Sequence, residues 1–228
     1  SQFTMQAQEF AEFTNDFINN GITILGGCCG TTPEFIRTIK DKIVNININK
    51  LGNTEFLKKN ISSDNANLYL TSARKTVCIN QSQPFTVIGE RINPTGKKKL
   101  QAELLENKFA IIRQFAIEQS AAGAQVLDIN VGMPGIDETA KMLDIIKLLS
   151  KIIDTPLCID SSNTEVIEKA LRLYPGRALI NSISAEPQKM LKLLKIAKKY
   201  GAAFIVLPLD SAKLPNTCAE RIKLAEKI

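Results

Sequence analysis

The chain has 228 residues, 44% of them apolar, enough to bury one large core or two small ones. Its 29 basic and 23 acidic residues leave a net charge of +6, but aromatics make up only 6% and Trp is absent. The stacking surfaces of a nucleic-acid binder are therefore lacking, and the charge reads as a Lys-rich solvated surface or as attraction for an anionic small molecule. Histidine is absent, which excludes His bases, Ser-His triads and His metal ligands and leaves chemistry to carboxylates, amides and thiols. No run of 18 apolar residues occurs, and Ser1-Gln2-Phe3-Thr4 lacks the layout of a secretory signal, so no membrane association and a cytoplasmic location are expected. Five cysteines, an odd number with two adjacent, point to reduced thiols or metal ligands rather than a disulfide framework.

Residues 4–19 place Phe10, Phe13 and Phe17 at helical spacing before the stop signal Asn20-Gly21. One helix is predicted there, leading into a short strand over Ile22-Thr23-Ile24-Leu25. The tight turn Gly26-Gly27-Cys28-Cys29-Gly30 follows. Thr31-Thr32-Pro33-Glu34 then opens a helix to about Val44, with a cap, a first-turn proline and an acid at the positive end of the helix dipole. The result is a βα unit with its thiols at the strand's carboxyl end. Residues 46–83, rich in Asn, Ser and Lys without sustained periodicity, read as a linker in which Thr76-Val77-Cys78-Ile79 has the composition of a short strand.

From Pro84 a short apolar run, a polar loop and an amphipathic helix repeat. Strands are predicted at 86–88, 125–127, 157–159, 178–180 and 204–207, with helices near 100–121, 137–152, 163–173 and 187–200 and a last one over 216–228. Ser162-Asn163-Thr164-Glu165 fits a capping box. Five strands alternating with helices imply a parallel sheet, either open and doubly wound or part of a (β/α)₈ TIM barrel. Each strand ends in polar residues: Glu90, then Asp128 and Asn130, Asp160 and Ser161, Asn181 and Ser182, and Asp210. In a barrel these converge on one mouth, which favours the barrel. Five units cannot close eight strands, and open edges at the second and fifth strand positions invite self-association.

Glu90, Asn93, Asp128, Asn130, Asp160 and Asn181 suit a heterocycle that offers N–H donors and ring acceptors, because a carboxylate takes a donor pair and an amide both donates and accepts. Each residue alone also suits a helix cap. Cys28 and Cys29, between flexible glycines, can turn two sulfurs toward one metal ion or simply pack under a tight turn. Cys158 lies in an apolar strand and reads as core. Lys97-Lys98-Lys99 read as a solvated helix start or as a contact for an anionic ligand tail.

Gly26-Gly27-Cys28-Cys29-Gly30-Thr31-Thr32-Pro33 resembles the last zinc-ligand motif of the homocysteine-binding domain of cobalamin-dependent methionine synthases. Val87-Ile88-Gly89-Glu90-Arg91-Ile92-Asn93-Pro94-Thr95-Gly96, Leu127-Asp128-Ile129-Asn130-Val131-Gly132, Ile159-Asp160-Ser161-Ser162 and Ile180-Asn181-Ser182-Ile183-Ser184 resemble the pterin-binding barrel of the same family. That barrel is shared with methyltetrahydrofolate:corrinoid methyltransferases and, more distantly, with dihydropteroate synthases. The resemblance covers about 20–44 and 84–228.

It implies an α/β chain: residues 1–45 as the end of a homocysteine-binding zinc domain, its terminal βα unit belonging to a second barrel, 46–83 as linker, and 84–228 as the first part of a pterin-binding, dihydropteroate-synthase-like TIM barrel. It further implies a methyltransferase that passes the methyl group of methyltetrahydrofolate through cobalamin to zinc-activated homocysteine. Asp160 and Asn181 resemble the pair that hydrogen-bonds the pterin and serves catalysis, Glu90 and Asn93 resemble pocket residues, Asp128 and Asn130 join the folate-binding set, and Cys28 and Cys29 resemble two of three zinc ligands. The third cysteine, the later strands and the cobalamin module lie outside this sequence. An internal segment or truncated frame, inactive unaided, is therefore expected. The competing expectations are a folate-binding module serving a separate corrinoid protein and a dihydropteroate-synthase-like transferase.

Overall fold

The computed structural model describes residues 4–22, 24–45, 67–210 and 214–228. The chain divides into two compact units, Ser1–Ala66 and Asn67–Ile228.

The first unit contains helices α1 (Ala7–Glu12), α2 (Thr14–Asn19) and α3 (Pro33–Asn45). The single helix expected over 4–19 breaks at Phe13. The aromatic spacing still does its packing work, with Phe10 against Phe17 and Phe35 at ring-centroid distances of 6.3 and 6.0 Å. Pro33 and Glu34 begin α3, as their N-terminal chemistry predicts. Ile22, Ile24 and Leu25 do not form the expected strand: a strand is held by a neighbour's ladder, and among the described residues this unit contains no other strand.

The second unit opens with an antiparallel hairpin, β1 (Leu68–Thr71) and β2 (Thr76–Ile79), paired Leu68↔Ile79 and Leu70↔Val77. The hairpin lies inside the stretch expected to be linker. Its second strand coincides with the strand-like run Thr76-Val77-Cys78-Ile79, whereas the first, four residues amid Asn and Ser, carries too little periodicity to register in the sequence. The following elements are β3 (Ile88–Ile92), α4 (Lys98–Leu105), α5 (Ala110–Ala121), β4 (Val126–Asn130), α6 (Glu138–Ile152), β5 (Leu157–Asp160), α7 (Thr164–Leu173), β6 (Leu179–Ser184), α8 (Pro187–Tyr200), β7 (Ala203–Leu207) and α9 (Cys218–Lys227).

The sheet order is β3-β4-β5-β6-β7, and every pairing is parallel. Consecutive strands are always neighbours. This is the winding of a (β/α) barrel; an open doubly wound sheet reverses its strand order at a switch point. The edges are therefore β3 and β7, not the second strand of the series as expected, since β4 is paired on both sides.

Three local expectations shift. The helix predicted over 100–121 is two helices, because Asn107 takes a left-handed conformation (φ 56°) and its side-chain oxygen accepts a hydrogen bond from Lys141. The cap of α7 is Asn163 rather than Ser162, its Oδ1 accepting from the Glu165 amide at 2.9 Å. The first barrel strand runs over 88–92 rather than 86–88, which puts Glu90 within it.

Strand alternation divides the core in two. Leu127, Ile129, Leu157, Ile159 and Ile180 pack on the helices, whereas Val126, Cys158, Leu179 and Ala203 cluster on the opposite face with Leu70 of the hairpin. The hairpin is fixed to the loops that precede β5 and β6, and so to the sheet's amino end. Thr71 N–H donates to the Arg177 carbonyl (3.0 Å), the Arg177 amide donates to Thr71 Oγ1 (2.7 Å), and Tyr174 Oη donates to the Thr71 carbonyl (3.0 Å). Arg74 holds Asp154 and the carbonyls of Ser150 and Ile153. Gly176 is obligatory here, since a Cβ would lie 2.2 Å from the Thr71 carbonyl oxygen.

Candidate functional site

The face that is apolar at its amino end turns polar toward the carboxyl ends of the strands. Asp128 and Asn130 share the parity of Val126 on β4, Asp160 that of Cys158 on β5, and Asn181 that of Leu179 on β6. Register sets three of them side by side, with Asn130↔Asp160 on one pairing and Asp160↔Asn181 on the next. Asn130 Nδ2 donates to Asp160 Oδ2 at 2.8 Å, and Asn181 Nδ2 donates to Asp128 Oδ1 at 3.2 Å. The peptide between Asn181 and Ser182 is cis.

Asp128 is 3% exposed. Burial pushes its carboxyl above the ordinary carboxylate range, and the neighbouring charges of Asp160 and Glu90 add to this, while hydrogen bonds from Cys158 and Asn181 oppose it. Cys158 is buried, as expected of core, but its thiol belongs to the site face and bonds Asp128; burial, then the charge of Asp128, pushes that thiol up. Among the described residues no cation pairs with Glu90, Asp128 or Asp160. Arg91, next to Glu90, is turned to the other side of β3, where Nη1 donates to Glu118 Oε2 at 2.7 Å and the guanidinium lies 4.1 Å from the Phe115 ring centroid. The result is an anionic, amide-rich face with hydrogen-bond acceptors to spare.

Glu90 is exposed, and Asn93 is half-buried with Oδ1 accepting from the Thr95 amide at 2.9 Å. Lys97 Nζ donates to the Asn93 carbonyl at 3.1 Å, and Lys97, Lys98 and Lys99 line a concavity with Leu100, Ile111, Gln114 and Phe115. Gln119 was not legible in the sequence. It is buried in α5 and steadies β3 by accepting from the Arg91 amide at 2.9 Å, over a Gly89 whose Cβ would lie 2.6 Å from Gln119 Oε1. Ser161, also buried, donates to Glu138 and accepts from the Asn163 amide, joining the β5 terminus to α6 and α7.

In the first unit the Cys28-Cys29 turn lines an open concavity with Met5, Phe10 and Phe35. Thr31 holds the turn through Cys28 N–H to Oγ1 (3.0 Å), and Gly27 leaves room for it, since a Cβ there would lie 2.2 Å from Thr31 Cγ2. Both thiols are exposed, with their sulfurs 3.9 Å apart. Two sulfurs on one tetrahedral zinc, each about 2.3 Å from the ion, stand about 3.8 Å apart, so the pair fits two positions of such a site. Among the described residues no group of three or more Cys, Asp or Glu converges to complete it.

Residues 89–226 match the family model described as pterin binding enzyme. The chain belongs to the pterin-binding enzyme family. Residues 1–43 match a second model, homocysteine S-methyltransferase. Over its whole length the chain is similar to methionine synthases of Mycobacterium leprae (25% identity) and Mycobacterium tuberculosis (26% identity), of which it spans 19%. It is also similar to the crystal structure of 7,8-dihydropteroate synthase from Vibrio fischeri, with 23% identity and a TM-score of 0.45 over 71% of this chain and 60% of that one. A Yersinia pestis dihydropteroate synthase, solved with a pterine-sulfa conjugate, gives 24% identity and a TM-score of 0.41 over 63% and 52% of the two chains. Among the described residues no helix is long and apolar enough to cross a membrane.

Proposed function

We propose that the chain is a segment of a methionine-synthase-type methyltransferase and that its strand-end face binds the pterin of methyltetrahydrofolate. The observation that carries this is the Asp128, Asn130, Asp160 and Asn181 network, hydrogen-bonded across three strands and free of any neutralising cation among the described residues. A reduced pterin presents N–H donors along one edge, and Asp160 receives them without a competing ammonium or guanidinium. Asn181, with one N–H committed to Asp128, keeps its carbonyl oxygen and second N–H for the ring. Loss of a methyl group from N5 is eased when a donor stabilises the charge left on that nitrogen, and the amide-rich face supplies donors there.

The first unit fits the end of a homocysteine-binding domain, with Cys28 and Cys29 as two of its three zinc ligands. Zinc, when bound, supplies the charge that lowers the pKa of a homocysteine thiol. Exposed Ile22, Ile24, Ile36 and Val44 in this unit support its being part of a larger domain that covers them. Cobalamin, on a module outside this sequence, is the carrier this reading requires. The test is isothermal titration of methyltetrahydrofolate into the chain and into an Asp160→Ala, Asn181→Ala variant. Saturable binding lost in the variant is expected, whereas a folded wild-type chain that binds nothing overturns the pocket assignment.

A further inference from the structure

The two amides of the strand-end face are committed to different degrees. Asn181 donates one N–H to Asp128, and among the described residues its Oδ1 has no partner. Asn130 is engaged at both ends: Oδ1 accepts from the Gly132 amide at 2.8 Å, and Nδ2 donates to Asp160 Oδ2 at 2.8 Å. The first bond anchors the amide to the loop that leaves β4. The second holds a carboxylate at the end of β5 that, among the described residues, has no other side-chain hydrogen bond and no ion pair. Without this bond the Asp160 carboxylate has no side-chain partner among the described residues to fix its rotation; with it, one oxygen is engaged by Asn130 and the other remains without a side-chain partner.

We propose that Asn130 is a positioning residue, not a ligand contact: it orients Asp160 so that one oxygen is presented to an N–H donor of the bound heterocycle. This rests on the reading of the face as a pterin site.

The distinguishing property is non-additivity, since a residue that acts only through Asp160 has nothing left to contribute once Asp160 is gone. Methyltetrahydrofolate affinity is measured for wild type, Asn130→Ala, Asn130→Asp, Asp160→Ala and the Asn130→Ala, Asp160→Ala double variant, with circular dichroism confirming folding. Asn130→Ala is expected to weaken binding about 10-fold, in keeping with loss of one hydrogen bond to a charged group. The double variant is expected to bind no more weakly than Asp160→Ala. Asn130→Asp keeps the acceptor for the Gly132 amide but replaces the donor with a second carboxylate against Asp160, which turns the Asp160 carboxyl away rather than holding it, so it is expected to bind at least as weakly as Asn130→Ala, and it bears on the proposal should Asn130→Ala fail to fold. Additive losses in the double variant, or wild-type affinity in Asn130→Asp, overturn the proposal while leaving the pterin site standing. A folded wild type that binds no methyltetrahydrofolate overturns both.

Discussion

Leu70→Ala is the most informative single change to the architecture beneath the site. Leu70 is fully buried and closes the amino end of the site face against Val126, Cys158, Leu179 and Ala203. Truncating a fully buried leucine costs about 2–5 kcal/mol, as lost transfer energy plus the cavity left behind. For a unit of this size that is a fall in melting temperature of about 5–15 °C. Tyr69→Ala is the matched control: it lies in the same strand on the opposite face, 43% exposed, and is expected to cost under about 1 kcal/mol. Thermal and urea unfolding followed by circular dichroism compare the two. Equal small losses would refute the hairpin as the floor of the site and make it a surface ornament.

Tyr174 Oη donates to the Thr71 carbonyl and accepts from the Leu157 amide at 3.1 Å, so Tyr174→Phe leaves two backbone groups unpaired and is expected to cost about 1–3 kcal/mol in urea unfolding. Burial pushes the Tyr174 phenol up to about 12. Its folded value is raised over the unfolded one near 10, so its contribution is full below pH 10 and fades toward pH 12. The stability gap between wild type and Tyr174→Phe should shrink over that window. Asp128, raised by burial, favours the folded state most below the ordinary carboxylate value and loses that benefit as pH rises. Asp128→Asn should therefore gain stability relative to wild type as pH rises past the ordinary carboxylate value in melting experiments, and a constant gap contradicts this. If the Lys97-Lys98-Lys99 concavity meets an anionic tail, replacing all three with alanine weakens binding of the glutamate-bearing folate, measurably more at low salt, and leaves a tail-less pterin unaffected.

The parallel strands and the polar residues at their ends were legible because a buried strand flanked by amphipathic helices writes a strong pattern. Asp128, Asn130, Asp160 and Asn181 follow directly from it. Of the hairpin, Thr76–Ile79 was legible as a short strand, but its partner was not, because Leu70 is a single inward residue in a four-residue strand amid Asn and Ser. The break at Asn107 depends on Lys141, 34 positions away, and no local pattern contains it. Cys158 looked like core because Leu157 and Ile159 flank it; only its parity with Asp160 places it on the site face. The full commitment of Asn130 depends on strand register, which the sequence of β4 alone does not carry. The expected strand over 22–25 shows the converse: Ile22, Ile24 and Leu25 have a strand's composition, but among the described residues their unit holds no strand to pair with, and Thr23 lies outside the described residues.

The most direct test of the central claim, that the carboxyl-end face of the sheet is a pterin site, is amide chemical-shift mapping on the labelled chain as methyltetrahydrofolate is added. Shifts concentrated at Glu90, Asp128 to Gly132, Asp160, Ser161, Asn181 and Ser182 are predicted. Shifts confined to the Cys28-Cys29 turn or to the helices, with the strand ends silent, would contradict it.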